Sequence, residues 1–112
     1  MEKDDTIFLR HIMESIELIE KYIQNITMEQ FLDNPQIQDA IIRRFEIIGE
    51  ATKNLSGPTR TAYPDVPWKS MAGIRDILIH EYFGVDLDEI WDTCANDLPE
   101  LKEQIKKILY NS

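Results

Sequence analysis

Apolar residues recur along this chain at the three- and four-residue spacing of α-helices, with no sustained alternation of the kind a strand needs. Residues 4–25 predict a first long helix, with Asp4, Asp5 or Thr6 available to cap its start. Ile12, Ile16, Ile19 and Ile23 form its inward stripe, extended by Phe8. Thr27-Met-Glu-Gln30 has the form of a capping box, and the short helix it opens must end at Asn34-Pro35. Asn34 as cap and Pro35 at the first helical position launch a second long helix. Its stripe is Ile37, Ile41, Ile48, Ala51 and Leu55, widened by Ala40, Phe45 and Ile47. Ser56-Gly57-Pro58 reads as its stop, followed by an irregular loop to Pro67.

Pro67 opens a helix over Met71-Ala-Gly-Ile-Arg-Asp-Ile-Leu-Ile-His-Glu-Tyr-Phe-Gly84, and Trp68 is expected to pack its start against the core. This helix has two apolar sides. Met71, Ile74, Ile77 and Leu78 make one stripe; Ala72, Ile79 and Phe83 make another, roughly opposite. One stripe serves a core, so the second implies a very central helix or a partner chain. Asp86 caps a further helix through Leu87, Ile90, Trp91 and Cys94. Asp97 and Pro99 restart the chain into a last helix with Leu98, Leu101, Ile105, Ile108 and Leu109 inward. The fold class is all-α: a bundle of four to five helices, forming one domain over residues 1–112.

Composition narrows the class of protein. The chain has 112 residues, 43% of them hydrophobic, which suits one domain with a real core. No apolar run is long enough to span a membrane and the N-terminus lacks a signal-peptide pattern, so a cytoplasmic protein is expected. Cys94 is the single cysteine, leaving no disulfide frame, and no cluster has metal-ligand spacing. The net charge of −9 argues against a general nucleic-acid binder. Yet residues 40–80 hold Arg43, Arg44, Lys53, Arg60, Lys69 and Arg75 against only Glu46, Glu50, Asp65 and Asp76. A mildly basic middle in an acidic shell can hold an anion at one place. Arg43, Arg44 and Lys53 are its candidate phosphate contacts, or simply a solvated helix face. His11 reads as an exposed or half-buried helix histidine.

The chemistry concentrates between the two apolar stripes. Arg75 and Tyr82 border one flank, Asp76 and His80 the other. Histidine exchanges protons near neutral pH, and a guanidinium grips phosphate through paired hydrogen bonds. RNA brings its own nucleophile, the 2′-hydroxyl, so such a pair needs neither a metal nor a protein nucleophile. Asp76 lies one helical turn before His80 and suits the role of holding its imidazole. Arg75 and His80 stand roughly 140° apart around an ideal helix, however. Either the helix distorts near His80 or a second subunit completes the site, with Ile79 and Phe83 at the interface.

Arg75-Asp76-Ile-Leu-Ile-His80-Glu-Tyr82 resembles the Arg-polar-x-x-x-His-x-Tyr signature of HEPN-domain ribonucleases. Ala40-Ile-Ile-Arg-Arg-Phe-Glu-Ile-Ile-Gly-Glu-Ala51, Tyr63-Pro-Asp-Val-Pro-Trp68 and His80-Glu-Tyr-Phe-Gly-Val-Asp86 are similar to HepT-like toxins of prokaryotic toxin–antitoxin pairs. The resemblance implies a homodimeric, metal-independent RNA endonuclease without cofactor, its cleft at the dimer interface. Arg75 and His80 are then the catalytic pair, with Asp76 in support. It further implies a minimal nucleotidyltransferase antitoxin as partner, which attaches AMP to the signature tyrosine, here Tyr82. Two other readings share the helices: a non-catalytic HEPN dimer that docks onto a nucleotidyltransferase, and a purely structural helical dimer.

Overall fold

The computed structural model describes residues 3–80 and 86–110, with residues 3 and 75–80 described as helical backbone. All regular structure among these residues is helical. The helices are α1 (Lys3–Ile23), α2 (Met28–Leu32), α3 (Pro35–Lys53), α4 (Gly57–Ala62), α5 (Trp68–His80), α6 (Leu87–Asp92) and α7 (Leu98–Tyr110), with a π-helical turn at Thr93–Asp97. Among the described residues no helix is long and apolar enough to cross a membrane.

Local chemistry sets most boundaries. Asn25, with φ of 64°, follows the end of α1 in the left-handed conformation that asparagine tolerates. The Thr27 capping box is complete: Gln30 N–H donates to Thr27 Oγ1 at 3.1 Å, and Thr27 N–H to Gln30 Oε1 at 2.9 Å. Asn34 caps α3 by accepting from Ile37 N–H at 3.1 Å, with Pro35 in the first turn. Asp86 caps α6, accepting from Asp88 and Glu89 N–H.

The described residues form seven α-helices where four to five were expected, because short helices fill the connections, and three further details differ from the sequence expectation. The first helix begins at Lys3, so Asp5 lies inside its first turn, only 2% exposed, instead of capping it in solvent. The second difference is at Ser56-Gly57-Pro58, which starts a helix. Helix α3 has already ended with Asn54 as its C-cap, and Ser56, with extended φ/ψ of −69° and 155°, caps α4 by accepting from Thr59 N–H. Proline at the first turn presets φ for a helix, so the same tripeptide serves a start as well as a stop. Third, Pro99 does not restart the chain. Proline cannot donate to the carbonyl one turn back and its ring crowds that carbonyl. The π-turn just before it absorbs the conflict, with Leu98 N–H bonding five residues back to Thr93, and α6 runs on into α7.

Helix α3 is central, packing against α1 and α5; α1 also packs on α7, and α2 lies on α3 and α6. This is why α3 buries Ile41, Ile42, Phe45, Ile48, Ala51 and even Thr52, a stripe wider than one neighbour requires. Leu9, Ile12, Ile16 and Ile19 of α1 and Ile105 of α7 have no exposure and form the deepest layer. Phe31, also fully buried, brings α2 to α6 with its ring centroid 5.4 Å from that of Trp91.

Candidate functional site

Helix α5 carries the candidate site, and its first half is fastened firmly. Trp68 is 6% exposed, and its indole Nε1–H donates to the Tyr63 carbonyl at 2.9 Å. Val66 and Met71 are buried beside it. Met71 N–H bonds to the Pro67 carbonyl at 3.0 Å, so the helical ladder begins at that proline. Ile74 packs against the core, and one residue later comes Arg75.

The backbone is α-helical through His80, so Arg75, Asp76, Ile79 and His80 all sit on α5. Their side chains lie outside the described residues, as do Tyr82 and Phe83 entirely. A helix that stays regular to His80 keeps Arg75 and His80 five positions apart on its circumference, roughly 140°.

The other candidate residues lie elsewhere. Arg43 is exposed on α3 and pairs with Glu46 at 3.5 Å; Arg44 is half-buried and Lys53 exposed. His11 of α1 is exposed, its ring edge-on to Phe8 with centroids 6.2 Å apart. The fold brings His11 and Arg43 to one cleft of about 240 Å³ between α1 and α3, also lined by Glu46, Glu50 and Asn54. Two carboxylates beside one guanidinium make this a poor place for phosphate. Cys94 is buried, which pushes its thiol up to about 12 and leaves it protonated and inert at neutral pH.

One polar cluster escaped sequence reasoning. Buried Asp5 accepts from Ser56 N–H at 2.9 Å, from Ser56 Oγ–H at 2.6 Å and from Thr59 Oγ1–H at 2.5 Å. Burial alone raises its carboxyl, but these hydrogen bonds outweigh it and hold the group below the usual aspartate value. Its work is structural, fastening α1 to α4. An aspartate near a helix start suggests a cap, and only the tertiary contact reveals its partners.

Comparison with known proteins places this helix in context. A family model described as ribonuclease HepT-like matches residues 12–108, including the whole of α5 and the segment beyond it. A Methanocaldococcus jannaschii protein named "Gamma-glutamylcyclotransferase and putative RNase MJ0434" is 53% identical over 97% of this chain, which spans 49% of that relative. "Putative RNase TTE0752" of Caldanaerobacter subterraneus subsp. tengcongensis is 45% identical over 91% of each chain. "Probable ribonuclease HepT" of Thermococcus cleftensis is 44% identical over 96% of this chain and 98% of its own. This chain thus spans about half of the first relative and nearly all of the other two. No solved structure matches it. With the family match spanning nearly all of the helical core, the chain belongs to the HepT-like ribonuclease family.

Proposed function

We propose that the protein is a metal-independent RNA endonuclease, the toxin of a toxin–antitoxin pair, working as a homodimer. The observation that carries this reading is the family match across α5, where Arg75, Asp76, His80 and Tyr82 stand in the signature spacing. His80 moves the proton between the 2′-hydroxyl and the leaving 5′-oxygen, and Arg75 stabilises the charge that builds on phosphorus. Asp76 holds the His80 imidazole. The product is a 2′,3′-cyclic phosphate. The regular backbone through His80 supports assembly of the cleft from two copies of α5, with Ile79 and Phe83 at the contact. Control falls to a minimal nucleotidyltransferase that joins AMP to Tyr82, placing bulk and negative charge beside the cleft.

The test is cleavage of single-stranded RNA in excess chelator. His80→Ala is expected to lose roughly 10²–10⁴-fold in rate and Arg75→Ala a comparable amount. In parallel, wild type and Tyr82→Phe are incubated with the nucleotidyltransferase and ATP and weighed by intact mass spectrometry. Wild type gains AMP and the variant does not. The net charge of −9 favours the alternative of a non-catalytic docking dimer. Wild type that neither cuts RNA nor accepts AMP selects that alternative.

A further inference from the structure

A groove of about 1000 Å³ runs between α1 and α7, with no residue of α5 in its lining. Its charge is opposite to that of the chain. Whereas the protein as a whole carries 12 basic against 21 acidic residues, the groove collects Arg10, Lys21, Lys102 and Lys106 against Glu14 and Glu17. Lys102 is spoken for: its ammonium donates to Glu20 Oε1 at 2.8 Å, which strengthens its hold on its proton. Arg10, Lys21 and Lys106 form no ion pair among the described residues, although Glu14 and Glu17 lie at helical spacing from Arg10 and Lys21. At the groove's edge stands Tyr110, 77% exposed. Met13, Leu18 and Leu109 line the same groove.

These features fit one kind of ligand. Unpaired cations along a groove suit a string of phosphates, and an exposed aromatic ring suits an unstacked base. Lys102 near the start of α7 pairs with Glu20 near the end of α1, while Arg10 near the start of α1 and Tyr110 at the end of α7 line the same groove. Arg10 and Lys21 are 11 residues apart on one helix, about 16 Å, which is several nucleotides of an extended strand. Resting on the ribonuclease reading above, we infer that the α1/α7 groove is a track for single-stranded RNA outside the cleavage site, in which Arg10, Lys21 and Lys106 hold phosphates and Tyr110 stacks a base. Glu14 and Glu17 oppose this binding and keep it weak and easily released.

The experiment measures binding of a fluorescein-labelled 12-nucleotide oligouridine by anisotropy across a salt series, on the His80→Ala protein so that the probe stays intact. Arg10→Gln, Lys21→Gln and Lys106→Gln are each expected to weaken binding and to lower the salt slope by about 0.7. Tyr110→Ala is expected to cost about 5- to 150-fold in affinity. Glu14→Gln and Glu17→Gln should tighten binding, a response that a merely structural groove would not give. Lys107→Gln, exposed on α7 but outside the groove, serves as control. All these positions are solvent-facing, and circular dichroism verifies folding. A protein that binds no RNA, or groove variants that keep wild-type affinity and slope, overturns the inference whatever the cleavage result. Groove-dependent binding by a protein whose wild type does not cut leaves the track standing and removes only the nuclease.

Discussion

Asp5 shows how one residue can count for more than its place in a helix suggests. Three donors converge on its carboxylate, two of them hydroxyls and one a backbone N–H. Replacing it by alanine leaves the buried Thr59 hydroxyl and the half-buried Ser56 donors without their acceptor, at a cost of roughly 1–3 kcal/mol. The charge itself adds a pH dependence. Because the folded carboxyl sits below its unfolded value, its contribution is complete above the unfolded value near 3.8. It drains away as the pH falls through the lower, folded value. Urea unfolding between pH 7 and pH 2 checks both parts: Asp5→Ala starts less stable and loses less on acidification. A variant as stable as wild type at pH 7 would show that the network contributes nothing.

At the scale of elements, α5 depends on its first turn for its position. Trp68 and Met71 are buried at the start of α5, which packs against α3, so the candidate residues from Arg75 onward extend from an anchored base. Trp68→Ala opens a large cavity there and is expected to cost roughly 3–5 kcal/mol. Trp68→Phe keeps most of the packing and loses the bond to the Tyr63 carbonyl, a loss of about 0.5–1.5 kcal/mol by itself. Thermal denaturation of the two variants separates these terms, and a Trp68→Ala protein within 1 kcal/mol of wild type refutes the anchoring role. The α6–α7 junction makes a related point about sequence signals. Pro99 reads as a break because proline lacks the N–H an ordinary helix interior uses, yet a π-turn carries the chain from α6 into α7 without leaving helical structure.

For the whole molecule, the second apolar stripe of α5 is expected to meet a second copy of the chain. Ile79 and Phe83 of that stripe motivate the homodimer, since Met71 and Ile74 of the other stripe already pack against the core. Size-exclusion chromatography with light scattering is expected to give a dimer at micromolar concentration. Phe83→Asp should shift it toward monomer with helix content nearly unchanged, because a charge cannot be desolvated at an apolar contact without a partner. A wild-type monomer would end the composite-site reading.

The sequence by itself determined the helical class, the capped starts at Thr27, Asn34 and Asp86, and most inward stripes. Each depends on residues within a turn or two of one another. It also pointed to α5, because Arg75, Asp76, His80 and Tyr82 are close in the chain. It misread Ser56-Gly57-Pro58 and Pro99, where the same residues permit two local outcomes and packing selects one. What it could not contain were relations between distant segments. Asp5 meets Ser56 across 51 positions, and Lys102 meets Glu20 across 82. The central place of α3, the buried carboxylate and the cationic groove of α1 and α7 all arise when helices pack, since charge and burial are properties of surfaces that several segments build together.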